Sequence, residues 1–274
     1  MRHELPGARM LITGAGSGIG RLMAMKAAAR GARLVVWDLD ETAALAVRAE
    51  IRAAGGACEA FTVDVSDRAA VAETAVAVGE IDILVNNAGI VTGKRLLEAS
   101  EEHIERTFGV NTLAGYWTAR AFLPGMLARD RGAVVTVASA AGLAGVARQT
   151  DYSASKFAAF GFAESLRAEL AEDGSRVDSL VVCPYYVDTG MFEGVRSRYP
   201  RLLPILEQGE VAERILRAIH DGQQLLVMPR SARYLVSAAR LLPTPLFDGV
   251  MNALGINDSM DAFTGRGRPA GQAS

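Results

Sequence analysis

The feature that most constrains this chain is a glycine-rich turn between a short apolar run and a helical stretch. The turn, Thr13-Gly14-Ala15-Gly16-Ser17-Gly18-Ile19-Gly20, follows a strand candidate at 9–13 and opens a helix near 18–30. Glycines let the backbone turn sharply and approach a pyrophosphate, which then lies at the positive N-terminus of the helix. An ordinary tight turn also contains glycines, so the flanking residues decide between the two interpretations.

Short runs rich in β-branched residues alternate with longer helical stretches along most of the chain. Runs such as Leu34–Trp37 and Ala133–Val137 are apolar at successive positions, which is typical of strands buried on both faces. Strands are predicted at 9–13, 33–38, 57–63, 81–86, 132–138, 176–183 and 224–228, and helices near 18–30, 41–54, 67–78, 100–129, 151–172 and 209–221. The pattern predicts an α/β fold over 1–274: a single doubly wound (Rossmann) domain of about seven parallel strands with helices on both faces.

Charge and composition exclude several classes of protein. The 29 basic and 31 acidic side chains give a net charge of −2, which provides no field to attract nucleic acid. Two cysteines and three scattered histidines suggest neither a disulfide framework nor a metal site, and we expect a cytoplasmic protein without metal. No targeting segment is expected, and the longest charge-free stretch, 132–147, is shorter than the roughly 20 residues of a membrane span.

Asp38, at the end of the second predicted strand, indicates which dinucleotide is bound. It lies 18 residues after Gly20, close to the spacing of about 20 in dinucleotide-binding motifs. A carboxylate there accepts hydrogen bonds from the ribose hydroxyls and repels a 2′-phosphate, and neither Ser17 nor Leu39 supplies a basic side chain. A helix-capping aspartate is the alternative. The sequence predicts NAD as cofactor.

Tyr152 and Lys156 place a phenol and an ammonium four residues apart, on one face of a predicted helix. A phenol with a pKa near 10 is a poor base at neutral pH, and a neighbouring cation stabilises its phenolate. The pair is therefore a candidate acid/base. An exposed amphipathic turn is the alternative, because this spacing also arises by chance.

In their order along the chain, these motifs resemble the short-chain dehydrogenase/reductase family, and the resemblance extends to about Met228. Asn86-Asn87-Ala88-Gly89 is similar to the family's motif beside the nicotinamide ribose, and Asp64-Val65 to its adenine-contacting pair. Ser139 lies 13 residues before Tyr152, which is the family's separation.

The match also includes Asn111 and Thr189, at the positions of the family's catalytic asparagine and carboxamide-contacting threonine. Tyr185 departs from the pattern, since the family usually has glycine after the residue equivalent to Pro184.

The resemblance implies a role for each matched residue. Tyr152 would be the acid/base, Lys156 would lower its pKa and hold the ribose, and Ser139 would bind the developing oxyanion. Asn111 would bend its helix and hold a water that relays the proton. The implied cofactor site comprises Gly14, Gly16, Ser17, Gly18, Ile19, Gly20, Asp38, Leu39, Asp64, Val65, Asn87, Ala88, Gly89, Tyr152, Lys156, Pro184, Val187 and Thr189.

The substrate is less sharply indicated. Residues 182–194, 111–117 and 119–124 resemble the branch that contains retinol and hydroxysteroid dehydrogenases, which act on bulky apolar alcohols and ketones. We expect 185–208 to be a substrate loop with short helical pieces. Tyr185, Tyr186, Met191 and Phe192 are the candidate substrate contacts, with plain loop packing as the alternative.

The resemblance implies an NAD-dependent oxidoreductase that interconverts an apolar (lipid-, retinoid- or steroid-like) alcohol and its carbonyl compound. The alternatives are a reductase of small polar ketones and a non-catalytic dinucleotide-binding module. Family members are commonly homodimers or homotetramers, through helices that correspond to 100–129 and 151–172.

The C-terminal part is expected to be a helical extension over 229–264, followed by disorder over 265–274. Residues 222–247 include Arg230, Arg233 and Arg240, many leucines and no acidic residue. Such a composition suits a helix in the interface of a membrane, with arginines at the lipid headgroups. Packing on the body or on a neighbouring subunit is the alternative.

Overall fold

A computed structural model, which describes residues 3–265, contains one sheet of seven parallel strands in the order β3-β2-β1-β4-β5-β6-β7. The predicted doubly wound α/β fold is thereby confirmed. The strands are β1 (Arg9–Thr13), β2 (Arg33–Asp38), β3 (Ala57–Thr62), β4 (Ile83–Asn86), β5 (Gly132–Val137), β6 (Val177–Pro184) and β7 (Leu225–Met228).

Helices cover both faces of this sheet. They are α1 (Gly18–Ala28), α2 (Glu41–Ala53), α3 (Arg68–Val78), α4 (Glu101–Phe108), α5 (Ala114–Ala128), α6 (Thr150–Glu172), α7 (Gln208–His220), α8 (Arg230–Ala239) and α9 (Thr244–Ala253), with short 3₁₀ turns at Leu96–Glu98 and Ala140–Gly142. The single helix predicted near 100–129 is divided, because a π-type turn at Gly109–Leu113 separates α4 from α5. Asn111 lies in that turn.

Successive apolar residues of the strands supply two cores, one on each face of the sheet. Met10 and Ile12 of β1 pack in the core that contains Met23 of α1, whereas Leu11 packs in the core that contains Phe122 of α5. All six residues of β5 are buried. This two-sided burial explains why the strand sequences are continuously apolar.

The connections at the carboxyl ends of the strands form a crevice, where β1 lies between β2 and β4 and the winding direction reverses. The loop that follows β6 adds to its wall. Residues 185–207 contain turns and a parallel pairing of Val187 with Leu206, but no helix, so the short helical pieces expected there are absent. Gly190 and Gly194, both at positive φ, and Pro200 and Pro204 account for this, since they favour turns.

Helices α8 and α9 lie within the 229–264 segment. The disorder expected over 265–274 concerns residues that, apart from Gly265, lie outside the described part of the chain.

Candidate active site

A cavity of about 540 Å³ opens at the carboxyl ends of the strands and brings together most of the predicted site residues. Its walls include Gly14, Ser17, Gly18, Ile19, Asp38, Leu39, Asp64, Val65, Asn87, Ala88, Gly89, Ser139, Tyr152, Lys156, Pro184, Tyr185, Tyr186, Val187, Thr189, Met191 and Phe192. Gly16, Gly20 and Asn111 are not among the lining residues, but each directly adjoins one in the chain. One cavity therefore joins the glycine-rich turn to the tyrosine–lysine pair.

The glycine-rich turn fits closely against its neighbours. Gly14 has φ +63°, and a Cβ there would lie 2.8 Å from Cα of Ala88. A Cβ on Gly20 would overlap the carbonyl oxygen of Gly14. The first turn of α1 contains no acidic residue and no side-chain cap, so its N–H groups remain for an anion. These features fit the pyrophosphate of a dinucleotide.

Asp38 holds its carboxylate at the edge of the cavity through two backbone groups. One oxygen accepts the Gly16 N–H at 2.7 Å, and the other accepts the Asp40 N–H at 3.0 Å. The cap of α2 is Asp40, whose side chain accepts the Ala43 N–H at 3.0 Å. Asp38 is therefore not the helix cap that the alternative interpretation of the sequence required.

Asn87 and Thr13 join the ends of the two central strands beside the turn. The Asn87 side-chain amide donates to the carbonyls of Thr13 (3.0 Å) and Gly14 (3.1 Å). In return, the Thr13 hydroxyl accepts the backbone N–H groups of Asn87 (3.0 Å) and Ala88 (3.1 Å). These hydrogen bonds hold the glycine-rich turn against the loop after β4 at the cofactor end of the cavity.

Tyr152 lies in the first turn of α6 with only 4% of its surface exposed. Burial raises the pKa of its phenol, and a hydrogen-bonding interaction with the Ser139 side chain partly opposes this. The edge of the Phe192 ring packs against Tyr152, with 5.7 Å between the ring centroids. Ser139 also accepts the Ala141 N–H at 3.1 Å, which orients its hydroxyl.

Lys156 is buried one helical turn further along α6. Its Nζ donates to the Val137 carbonyl at 2.8 Å and lies 5.8 Å from the centroid of the Tyr152 ring. Burial lowers the pKa of the ammonium to about 8. Lys156 was expected to lower the pKa of Tyr152, but the desolvation of the phenol is the larger effect, and the pKa of Tyr152 is raised in the protein alone.

The side chain of Asn111 connects neighbouring segments by hydrogen bonds. Its amide oxygen accepts the Ile90 N–H at 2.8 Å, and its amide nitrogen donates to the Ile90 carbonyl (2.9 Å) and to Ser155 Oγ (3.0 Å). The side chain thus joins the π-type turn to the loop after β4 and to α6. The water relay expected at Asn111 stays a prediction.

The far end of the cavity is lined by residues that were not identified from the sequence. Helix α8 supplies Ala232, Leu235, Val236 and Ala239, α9 supplies Val250 and Met251, and Leu254 directly follows α9. The first four recur at i, i+3, i+4 and i+7, a spacing that could have identified a buried helical face. Gln149, immediately before α6, is a polar residue of this wall that was also missed.

Between residues 3 and 265, no group of three or more histidine, cysteine or acidic side chains is arranged to hold a metal ion. None of the helices in that range is both long and apolar enough to cross a membrane.

Comparison with known proteins agrees with the geometry of the cavity. The family model described as short chain dehydrogenase matches residues 8–200. Epidermal retinol dehydrogenase 2 of Homo sapiens is 42% identical over 268 residues, covering 96% of this chain and 87% of its own. Short-chain dehydrogenase/reductase family 16C member 6 of Bos taurus is 41% identical over 271 residues, covering 97% and 86%.

Two solved structures share the fold. A short-chain dehydrogenase/reductase from Burkholderia phymatum in complex with NAD has a TM-score of 0.79 and 30% identity, covering 87% of this chain and 95% of its own. A metagenomic short-chain oxidoreductase in complex with NADP has a TM-score of 0.68 and 31% identity, covering 82% and 97%. Relatives of this kind thus include complexes with either dinucleotide.

Proposed function

The chain belongs to the short-chain dehydrogenase/reductase family and is an oxidoreductase with a nicotinamide dinucleotide cofactor, and from that premise we propose that it uses NAD to interconvert an apolar alcohol and its carbonyl compound. One observation carries the proposal. A single cavity has a dinucleotide cradle at one end, an apolar wall at the other, and Tyr152, Ser139 and Lys156 between them.

The proposed preference for NAD depends on Asp38. Its carboxylate lies at the cavity edge, held by the N–H groups of Gly16 and Asp40, where it would accept hydrogen bonds from the two adenosine ribose hydroxyls. The same charge would repel a 2′-phosphate, and Leu39 and Ser17 offer no cation to compensate. Both dinucleotides occur among the structural relatives, so this local charge is the reason for choosing NAD.

We assign proton transfer to Tyr152 and the hydrogen bond to the developing oxyanion to Ser139. The nicotinamide, when bound, accepts or donates the hydride. The Tyr152 phenolate oxygen takes the alcohol proton in oxidation, and the phenol formed returns it in reduction, while Ser139 donates a hydrogen bond to the substrate oxygen. Lys156 holds the ribose, and its charge offsets part of the cost of forming a buried phenolate.

An apolar substrate is supported by the walls of the cavity. Leu203, Val236 and Met251 face the space beyond Tyr152, and Met191 and Phe192 of the loop after β6 close its side. Burial of apolar surface in such a wall stabilises a bound lipid-like molecule by about 25 cal/mol per Å². A small polar ketone would leave this surface in contact with water. Retinol, the substrate in the name of a relative at 42% identity, is a suitable first probe.

Peripheral membrane contact through the C-terminal helices is part of the proposal. Tyr234 (70% exposed), Leu241 (87%) and Leu246 (58%) lie on or between α8 and α9, whose inner faces line the cavity. Arg230 and Arg233 are exposed on the same segment, and no carboxylate of the described residues forms a salt bridge with them. Apolar side chains beside arginines suit the surface of an anionic bilayer.

We also propose a homodimer or homotetramer. Leu113, which directly precedes α5, is 43% exposed, and Tyr116, in the first turn of α5, is 41% exposed. They leave an apolar surface on the helices through which relatives commonly associate.

A turnover assay separates the three candidate functions. Purified protein is incubated with NAD or NADP and either retinol or a long-chain 1-alkanol. In a separate assay it is incubated with the reduced form of either cofactor and a small polar ketone. Cofactor absorbance is followed in both assays. We expect turnover of the long-chain alcohols with NAD. Turnover of small polar ketones alone would favour the alternative reductase, and tight NAD binding without any turnover would favour the binding module.

A further inference from the structure

The apolar end of the cavity contains a polar group that the reaction does not use, the side chain of Gln149. This residue immediately precedes α6, lies three residues before Tyr152, and is only 1% exposed. Its Nε2 donates to the Tyr186 hydroxyl at 3.3 Å. Its Oε1 is buried and accepts no hydrogen bond from any residue between 3 and 265.

The direction of the neighbouring hydrogen bonds fixes the orientation of this amide. Ser259 Oγ donates its one hydrogen to the Ile256 carbonyl at 2.6 Å, so it acts as acceptor towards the Tyr186 hydroxyl, 2.8 Å away. Tyr186 thereby uses its one hydrogen on Ser259. The amide atom that faces Tyr186 must be a donor, which is Nε2, and the free end of Gln149 is the acceptor Oε1.

A buried carbonyl oxygen without a donor is costly, because it has lost its water and gained no partner. A water molecule would need two or more polar partners to be held there. The other two polar side chains of this hydrogen-bonded series, Tyr186 and Ser259, already bond to each other, and the buried cluster around Tyr186 also contains the apolar residues Val195 and Met260. No residue between 3 and 265 forms a hydrogen bond with this oxygen.

We propose that Gln149 Oε1 is a second binding point for the substrate, which accepts a hydrogen bond from a hydroxyl group remote from the reacting carbinol. The inference rests on the proposed function, since it concerns the substrate of the same cavity. The Phe192 ring contacts both Tyr152 (5.7 Å between centroids) and Tyr186 (5.1 Å), so an apolar surface separates the two polar points. Because Oε1 is buried in the unliganded protein, a ligand must displace neighbouring side chains to reach it. The favoured substrate class is an apolar alcohol with a second hydroxyl at a fixed distance.

The test compares three homologous series that differ only at the far end of the chain: 1-alkanols, the matching α,ω-diols and the matching ω-methoxy alcohols. Binding is measured by calorimetry and kcat/KM by cofactor absorbance. A symmetrical diol offers two equivalent hydroxyl groups, so its values are first divided by two. At one chain length we then expect the diol to be preferred over the 1-alkanol by about 2- to 10-fold, the value of one neutral hydrogen bond. The methoxy compound, which cannot donate, gains nothing.

Gln149→Met removes the acceptor at nearly constant shape and should abolish the diol preference. Gln223→Met, a change at an exposed glutamine after α7, is the matched control and should keep it. A diol preference that persists in Gln149→Met, or that is absent at every chain length in the wild type, overturns the inference. So does an equal gain for the methoxy series.

The ligand comparison in the wild type decides the matter even if Gln149→Met does not fold. Diol selectivity in binding without turnover of any alcohol would support the second binding point and contradict the proposed function. Turnover of 1-alkanols without diol selectivity would support the proposed function and contradict the second binding point.

Discussion

One carboxylate oxygen of Asp38 accepts the backbone N–H of Gly16 at 2.7 Å. This bond joins the end of β2 to the glycine-rich turn, so the negative charge has a fixed position at the cavity edge. We expect the wild type to bind NAD more tightly than NADP. Asp38→Ala should weaken NAD binding by about 10- to 150-fold, because one charge-assisted hydrogen bond contributes about 1.5–3 kcal/mol.

Asp67→Ala is the matched control for this measurement. It removes the cap of α3, a residue that does not line the cavity, so it should lower the free energy of unfolding by about 1 kcal/mol and leave the NAD/NADP affinity ratio unchanged. Titration of both cofactors into the three proteins gives the result. Equal affinities of the wild type for the two dinucleotides would contradict the role of Asp38.

Lys156 should destabilise the folded protein at neutral pH. Its ordinary pKa of 10.5 is lowered to about 8 by burial, so folding favours the neutral amine. The destabilisation is fully present below pH 8 and decreases as the pH rises towards 10.5. Its size is about 3 kcal/mol, because each unit of difference between the two pKa values corresponds to about 1.4 kcal/mol.

Lys156→Met removes this charge. Its gain in the free energy of unfolding over the wild type should be largest below pH 8 and should shrink by pH 10.5. Denaturant titrations of both proteins across that range measure the difference, in which the other titrating groups cancel. A difference in the free energy of unfolding that does not change with pH would mean that burial does not lower the pKa of Lys156.

The C-terminal helices should bind anionic membranes through their outer surface. Replacing Tyr234 and Leu241 together by serine removes two apolar side chains that are 70% and 87% exposed. Because such a side chain gains about 1.5–3 kcal/mol on full burial, the affinity for anionic vesicles should fall by at least about tenfold. Co-sedimentation with vesicles of anionic and of neutral lipid provides the measurement.

Leu97→Ser and Val76→Ser together are the control for the membrane prediction, since these residues are 98% and 85% exposed but lie outside the C-terminal helices. They should leave vesicle binding unchanged. If both pairs of substitutions have the same effect, or if the wild type does not sediment with anionic vesicles, the C-terminal segment has no membrane role.

The strands and the cofactor end of the cavity could be predicted because their signals are local. Leu34–Trp37 is continuously apolar since both faces of β2 are covered, and Asp38 follows at a spacing that the fold itself sets. Gly14 and Gly20 are required by close contacts within the same turn and with the end of β4. Each of these features follows from a few consecutive residues.

Features that depend on contacts between distant segments could not be predicted in this way. Asn111 lies in the break between α4 and α5, and its amide bonds to Ile90 and Ser155 only once the sheet is assembled. The direction of the Tyr152 pKa shift depends on how completely the phenol is buried, which its spacing from Lys156 does not reveal. The part played by Gln149 requires Ser259, 110 residues away in the chain.

Tyr152→Phe tests the central claim most directly, because it keeps the packing of the ring against Phe192 and removes only the ionisable oxygen. The measurement is single-turnover reduction of bound NAD by a long-chain alcohol, together with NAD affinity by calorimetry. We expect NAD affinity to be unchanged within about twofold, while hydride transfer falls by the roughly 10²- to 10⁴-fold that positioned proton transfer contributes. A variant that reduces NAD at nearly the wild-type rate would contradict the assignment of Tyr152 as the acid/base.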